Sequence, residues 1–216
     1  MCFLEYFYKI FWYFYPFSLE NLISKELGQY KIIADLGCGD GSFLSRIKNL
    51  KCGWISEIIG FDIFMPALIR AKEKKIYRAL VQGDIRKLPF KKNSFDVVLI
   101  SHVIEHVEKN EKYIKNLEGI ARNKIIFITP NGYTPNLDKS SIYQTHSSGY
   151  TINDFKHLRY IVRGLGCRIV CGKVYKAGKL PSIIRPLFSL VSLIFTCITY
   201  YYPRFADHLI CIKTKY

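Results

Sequence analysis

Two kinds of apolar pattern alternate along most of the chain. Short apolar runs indicate buried strands, whereas apolar residues that recur every three or four positions indicate amphipathic helices. The short runs predict seven strands, at 31–36, 57–63, 79–82, 95–101, 124–129, 168–175 and 208–213. The helical pattern predicts five helices, at 18–27, 42–50, 65–75, 103–116 and 152–165.

This order of elements predicts an α/β fold. Strands that alternate with helices form a mostly parallel sheet that carries helices on both faces. We therefore expect a Rossmann-like, mostly parallel seven-stranded sheet over residues 31–216. An aromatic N-terminal helical segment at 1–30 precedes this domain, and an apolar helical insertion at about 180–204 comes before the last strand.

Two apolar segments stand outside the predicted sheet. Residues 1–17 carry ten aromatics at helical spacing, but they lack the charged start and the cleavage site of a signal peptide. Residues 186–203 carry no charge and only just reach the length of a membrane span, and serines and threonines lower their apolarity. We expect both segments to lie on a membrane surface or to cover a binding site, the alternative being extra core or a dimer face.

Composition limits the class of protein. Half of the residues are hydrophobic and no repeat is visible, which excludes a disordered chain or a repeat protein. The 32 basic residues exceed the 17 acidic ones, for a net charge of +15, which favours an anionic partner such as nucleic acid, lipid headgroups or a phosphorylated substrate. No block of five basic residues occurs, so solvated helix faces explain the charge equally well.

The seven cysteines are odd in number and form no CxxC pair. This pattern predicts a reducing compartment, and we expect a cytoplasmic protein that also contacts the membrane surface. Cys167 and Cys171 share one face of a predicted strand, where packing explains the two thiols better than metal binding does. We therefore expect no metal.

A glycine-rich turn follows the first predicted strand. The segment Asp35-Leu-Gly-Cys-Gly-Asp-Gly41 lets the backbone turn sharply and approach a ligand closely. Amides at the start of the next helix then hold the polar groups of that ligand. A dinucleotide fingerprint needs a further glycine at position 42, where this chain has Ser42.

Acidic residues end the next two predicted strands. Asp62, followed by Ile63, is placed to accept hydrogen bonds from ribose hydroxyls, although a dehydrogenase places an acid there as well. Asp84 ends the third strand and is followed by apolar Ile85.

In this order and spacing, these motifs resemble the class I S-adenosylmethionine-dependent methyltransferases. The segment FDVVLISHVIEHV resembles the fourth strand of the small-molecule subgroup, which includes enzymes of quinone biosynthesis. The resemblance covers roughly residues 31–175, more weakly beyond Pro130. It implies S-adenosylmethionine as the cofactor and a cofactor site made of Asp35, Gly37, Cys38, Gly39, Gly41, Asp62, Ile63, Asp84, Ile85 and Ser101.

The resemblance also implies a role for several of these residues. Asp35 lies close to the cationic methionine moiety, and the glycines line the cofactor. Asp84 accepts from the adenine amino group while Ile85 packs on the ring, and Ser101 borders the methionine end together with His102.

Three histidines are candidate bases for an acceptor that carries a hydroxyl. They are His102, His106 and His146, because a histidine side chain ordinarily titrates near neutrality, as a base for this purpose requires. The segment from His102 to His106 also matches the inverted zinc-protease pattern, but that pattern needs one continuous helix. We instead expect His102 to end a strand, and Glu105 and His106 to begin the following helix.

These observations predict methyl transfer to a small-molecule acceptor that is hydrophobic or lipid-linked. The net charge makes an RNA methyltransferase one alternative, although no Asn-Pro-Pro-aromatic motif is present. A cofactor-binding module without catalysis is the other, because methyl transfer needs no diagnostic nucleophile.

Overall fold

The computed structural model describes residues 15–28, 30–50, 57–135, 145–167, 191 and 195–215. These residues form a seven-stranded sheet in the order β3-β2-β1-β4-β5-β7-β6. The strands are β1 Ile32–Leu36, β2 Glu57–Asp62, β3 Ala79–Gln82, β4 Phe95–Ser101, β5 Ala121–Pro130, β6 Ile161–Leu165 and β7 His208–Thr214. The number of strands is as predicted, but the sheet is mixed, because β7 is antiparallel to both of its neighbours while the pairs among β1–β5 are parallel.

Among the described residues, the sheet is accompanied by helices α1 Leu19–Leu27, α2 Ser42–Leu50, α3 Met65–Glu73, α4 Glu111–Ile120 and α5 Ile152–His157, besides a helical stretch near the last strand. Short 3₁₀ turns form at Ile104–His106 and Pro203–Phe205. Helix α1 begins as its sequence predicts, because the Ser18 side chain accepts a hydrogen bond from the Asn21 amide and Glu20 lies in the first turn.

The core has two halves, one on each face of the sheet. Val98 and Ile100 of β4 pack with α4 and α5 on one face, whereas Val97 and Leu99 pack with α1 and α2 on the other. All four are fully buried. Because successive side chains of a strand point to opposite faces, a central strand covered by helices on both sides is apolar at every position.

The predicted helix at 103–116 is wrong in its first half. Ile104–His106 form a single 3₁₀ turn, and α4 begins only at Glu111, after Asn110 accepts a hydrogen bond from the Lys112 amide at 2.9 Å. Glu105 and His106 therefore do not begin the helix. They lie in a turn between β4 and α4.

The predicted helix at 152–165 is wrong in its second half. Helix α5 ends at His157, Arg159 takes a positive φ of 63°, and Ile161–Leu165 form β6 on the edge of the sheet. The sixth strand was predicted at 168–175, which lies outside the described residues. Pairing with β7 decides this element, and the helical spacing of the apolar residues did not reveal it.

Most of the two apolar segments lies outside the described residues, namely 1–14, 180–190 and 192–194, so the insertion stays a prediction. Residues 195–201, which are described, are helical. The ring of Phe17 packs against Tyr200 with the ring centres 5.4 Å apart. Among the described residues, no helix has the length and apolarity needed to cross a membrane.

Candidate functional site

The ends of three neighbouring strands bring the predicted site residues to one edge of the sheet. Leu36 at the end of β1 pairs with Phe61 of β2 on one side and with Ile100 of β4 on the other. The residues that follow these strands therefore lie side by side at the carboxyl edge. The strand order changes direction at β1, which is where open α/β sheets bind ligands.

The glycine-rich turn is folded over the end of β2. Gly37, Gly39 and Gly41 have φ values of 75°, 54° and 73°, which lie in the left-handed region. The amides of Gly37 and Cys38 both donate to the carbonyl of Phe61, at 2.6 and 3.1 Å. A Cβ at Gly37 would overlap with Val103, whereas nothing lies within 4 Å of a Cβ built at Gly39. The turn is therefore packed on one side and open at Gly39.

Asp35 is buried at the end of β1. It is 4 % exposed, and burial raises the pKa of its carboxyl group to about 7, while a hydrogen bond from Tyr77 opposes this shift. The Tyr77 hydroxyl donates to Oδ2 of Asp35 at 2.7 Å, and burial raises the pKa of that hydroxyl in turn. No local sequence pattern indicates a site role for Tyr77, which precedes β3 by two residues.

Asp62 connects the glycine-rich turn to the start of α3. Its Oδ2 accepts from the Gly39 amide at 2.8 Å, and its Oδ1 accepts from the Phe64 amide at 2.9 Å. A carboxylate has about four acceptor positions, so both oxygens keep capacity for ribose hydroxyls. Ile63 follows directly, and its carbonyl accepts from the Gln82 side chain at 3.2 Å.

Asp84 is paired with a residue that the sequence analysis did not consider. The guanidinium of Arg86 donates to both of its oxygens at 2.9 Å or less, and this hydrogen bond, opposed by partial burial, holds the pKa of Asp84 below its usual value. Ile85 is buried beside Phe61. An adenine amino group would therefore share the Asp84 carboxylate with Arg86.

The part of the edge that follows β4 is built around the buried carboxylate of Glu105. His102 follows Ser101 at the end of β4 with a positive φ of 55°, and its Nδ1 lies 3.2 Å from Oε1 of Glu105. The Thr129 hydroxyl donates to Oε2 at 3.3 Å. Burial alone would raise the pKa of Glu105, but the contact with His102 keeps it below its usual value. Because His102 is not helical, the zinc-protease pattern has no continuous helix here.

The structure brings the three predicted histidines to the same region and adds a fourth. The rings of His106 and His146 are 4.8 Å apart, and those of His102 and His208 are 5.1 Å apart. Burial lowers the pKa of both His106 and His208. His208 is not predicted from the sequence, because β7 runs antiparallel and its first residue therefore lies at the carboxyl edge. The assignment of any histidine as a base stays a prediction.

Comparison with known proteins finds a family model that matches part of this region. Residues 34–129 match the model of a family described as a methyltransferase domain. The chain is 34% identical over 149 residues to an uncharacterised protein of Methanocaldococcus jannaschii, covering 65% of this chain and 55% of that protein. It is 36% identical over 97 residues to a malonyl-[acyl-carrier protein] O-methyltransferase of Legionella pneumophila, covering 38% of this chain and 34% of that protein. The chain thus spans between a third and just over half of these relatives.

Solved structures agree in fold. An S-adenosylmethionine-dependent methyltransferase from Mesorhizobium loti matches with a TM-score of 0.57 and 16% identity, over 91% of this chain and 97% of that one. The plantazolicin methyltransferase in complex with SAH matches with a TM-score of 0.57 and 18% identity, over 98% and 87%. At these identities the likeness concerns the fold, which agrees with the family match. Residues 34–129 are therefore similar to a methyltransferase domain, and the chain shares its fold with the solved methyltransferase from Mesorhizobium loti.

Proposed function

We propose that this chain transfers the methyl group of S-adenosylmethionine to a hydrophobic or lipid-linked small molecule that reaches the site from a membrane surface. The observation that carries the proposal is a set of exposed apolar side chains, here called the aromatic surface. It consists of Phe195, Ile198, Tyr201, Tyr202 and Phe205. Single exposed apolar residues are ordinary, but a group of this kind is typical of a contact surface.

The aromatic surface is attached to the edge of the sheet that holds the site. Asn131, directly after β5, is buried, and its side chain donates to the carbonyls of Pro203 at 3.2 Å and Ala206 at 3.0 Å. The Asn131 amide also donates to the carbonyl of Asp207 at 2.9 Å. His208 comes next in the chain and contacts His102. An acceptor held by the aromatic surface therefore lies near the histidines.

The charge around the aromatic surface favours an anionic membrane. The guanidinium of Arg163 lies 5.2 Å from the ring centre of Tyr200 and 5.7 Å from that of Tyr201. Arg204 is exposed within the same segment, and the whole chain carries a net charge of +15. Tyrosine rings beside cationic side chains are suited to the headgroup region of a bilayer, where each basic residue near the surface adds roughly 1 kcal/mol of attraction.

Methyl transfer requires mainly that the protein aligns the acceptor with the methyl group of the cofactor. A lone pair of the acceptor forms a bond to the methyl carbon while the bond from that carbon to the sulfonium sulfur breaks, so the two groups must lie in line and away from water. Asp35, Asp62 and the open side of the turn at Gly39 supply the cofactor half of this arrangement. The Legionella relative is named for O-methylation of a malonyl group on acyl-carrier protein, which supports an oxygen acceptor on a carrier-linked group.

Vesicle flotation combined with a methyl-transfer assay tests the proposal. We expect the chain to float with vesicles of phosphatidylglycerol and phosphatidylcholine, and to transfer radiolabel from S-adenosylmethionine into an apolar extract. A Tyr201→Ser, Phe205→Ser double variant should float less, with its affinity for S-adenosylmethionine unchanged. Ile69→Ser is the matched control, because Ile69 is an exposed apolar residue on α3, away from the aromatic surface.

Three results would contradict the proposal. The first is equal flotation of the wild type and the double variant, and the second is the absence of vesicle binding altogether. The third is transfer of label into RNA with salt-dependent RNA binding, which would favour the RNA methyltransferase instead. Binding of the cofactor with no labelled product in either fraction would favour the non-catalytic module.

A further inference from the structure

Three side chains that are known metal-ligand types converge on the part of the edge that follows β4. One ligand atom from each of Glu105, His106 and His146 lies within 4.8 Å of the other two. His146 is separated from the other two by about forty residues of sequence, so the fold has brought the set together. We propose that Glu105, His106 and His146 bind a divalent transition-metal ion.

Each of the two histidines contacts a backbone carbonyl oxygen through Nδ1, which leaves its Nε2 free for a ligand. Nδ1 of His106 lies 3.2 Å from the carbonyl oxygen of Thr145, and Nδ1 of His146 contacts the carbonyl oxygen of Thr134. A carbonyl oxygen can only accept, so the proton of each neutral ring belongs on Nδ1 and the lone pair on Nε2. Metal-ligating histidines usually donate their other ring N–H to a carbonyl or carboxylate in this way.

The third ligand and the connection between the two segments are also held in place. Glu105 is 2 % exposed, and its carboxylate is positioned by the contacts with His102 and Thr129. The amides of Ser147 and Ser148 donate to the carbonyl of Glu105 at 2.8 and 3.0 Å. Both ligand-bearing segments are therefore tied to each other through Glu105 without any ion.

The donor set indicates the class of metal and what it would do. Two imidazoles and one carboxylate suit zinc or iron(II) and leave coordination positions open, unlike a closed structural site. Atoms that lie up to 4.8 Å apart are up to about 2.8 Å from a common centre, so each ligand atom must move by roughly 0.7 Å to reach metal distances of about 2.0–2.2 Å. If the proposed function holds, the open positions take the acceptor oxygen, and the ion stabilises its deprotonated form. Metal binding itself does not depend on the proposed function.

Titration with Co²⁺ tests the site directly, because the visible absorption of this ion reports its ligands. We expect one Co²⁺ per chain, with bands of a nitrogen and oxygen site and without the near-ultraviolet charge-transfer band of thiolate ligation. This distinction matters because the chain has seven cysteines. Zn²⁺ should displace the Co²⁺, since zinc binds the same donors more strongly.

Two histidine variants provide the comparison. His146→Ala should weaken Co²⁺ binding more than about tenfold, whereas His157→Ala should bind like the wild type, because His157 is an exposed histidine on α5. Circular dichroism and calorimetry with S-adenosylmethionine check that both variants fold and retain the cofactor site. Glu105→Gln supplies a second test that keeps the shape of the side chain.

Several outcomes would overturn the proposal: no saturable binding in the wild type, a thiolate band, or equal affinity in the wild type, His146→Ala and Glu105→Gln. Loss of metal binding in both ligand variants with unchanged affinity for S-adenosylmethionine would support it. Because this readout needs no methyl acceptor, failure of the proposed function would leave the result for the metal site unchanged.

Discussion

The hydroxyl of Tyr77 donates to the buried carboxylate of Asp35 at the point where β1 meets the glycine-rich turn, with 2.7 Å between the oxygens. Burial raises the pKa of Asp35 to about 7, so this carboxyl group is about half protonated at neutral pH. From the resemblance in sequence we predict that the cationic methionine moiety of the cofactor lies close to Asp35. A nearby positive charge favours the ionised carboxylate.

Binding of S-adenosylmethionine should therefore release about half a proton at pH 7. Calorimetry in phosphate and in Tris measures this release, because the observed enthalpy then depends on the ionisation enthalpy of the buffer. The Asp35→Asn variant should bind S-adenosylmethionine more weakly. Its binding enthalpy should differ between the two buffers only by the contribution of other ionisable groups. Identical enthalpies for the wild type in the two buffers would refute the linkage.

Stability should also depend on pH through Asp35. The carboxyl group binds its proton more tightly in the folded protein than in the unfolded chain, whose pKa is near 3.8, so its contribution is present below about pH 4 and is lost as pH rises through about 7. The loss is up to about 4 kcal/mol for a shift of this size. The difference in free energy of unfolding between the wild type and Asp35→Asn, measured from pH 4 to 8, isolates this group. A difference that does not change with pH would contradict the assignment.

Alanine substitutions at Gly37 and Gly39 of the glycine-rich turn should affect different properties, namely the stability of the fold and the affinity for the cofactor. Gly37→Ala must take a positive φ and also overlap with Val103, so we expect a loss of stability of more than 2 kcal/mol. Gly39→Ala meets only the strain of its φ, about 1 kcal/mol, but its methyl group points into the open side of the turn. Thermal unfolding and titration with S-adenosylmethionine should therefore show a large stability effect for the first variant and mainly an affinity effect for the second. The reverse order would mean that the cofactor does not approach Gly39.

Asp62→Ala should weaken cofactor binding by on the order of 2 kcal/mol, or about thirtyfold, because charge-assisted hydrogen bonds to the ribose are lost. The variant also loses the bonds from the Gly39 and Phe64 amides, so the turn itself becomes less well ordered. The affinity of Asp62→Asn for the cofactor should lie between those of the wild type and Asp62→Ala, because asparagine retains one carbonyl oxygen. Glu73→Ala, an exposed acid at the end of α3, is the matched control for loss of a negative charge. Equal affinity in Asp62→Ala and the control would show that Asp62 does not hold the ribose.

The strands and turns of the first half of the chain could be predicted, because each is indicated by residues close to it in sequence. Buried parallel strands give continuous apolar runs, and the turn after β1 needs glycine at each position of positive φ, so the sequence around Gly37 and Gly39 carries the information itself. Asp62 at the end of β2 and Asp84 two residues after β3 follow from the same strand boundaries. The structure places Asp35, Asp62 and Asp84 at the carboxyl edge, as expected.

The features that could not be predicted from the sequence depend on contacts between segments that are far apart in the chain. The partner of Asp35 is Tyr77, forty-two residues away, and nothing near either residue indicates this bond. His208 reaches the site only because β7 is antiparallel, a direction that the apolar pattern does not encode. The apolar spacing also continues across Glu105, where the carbonyl bonds to Ser147 and Ser148 accompany a 3₁₀ turn instead of a helix.

We expect the site at the glycine-rich turn to bind S-adenosylmethionine. Calorimetric titration of the purified chain with S-adenosylmethionine, with its demethylated product and with NADH measures this binding. We predict saturable one-to-one binding of the first two ligands and no binding of NADH. Binding of NADH, or no binding of either methionine-derived ligand, would contradict the account.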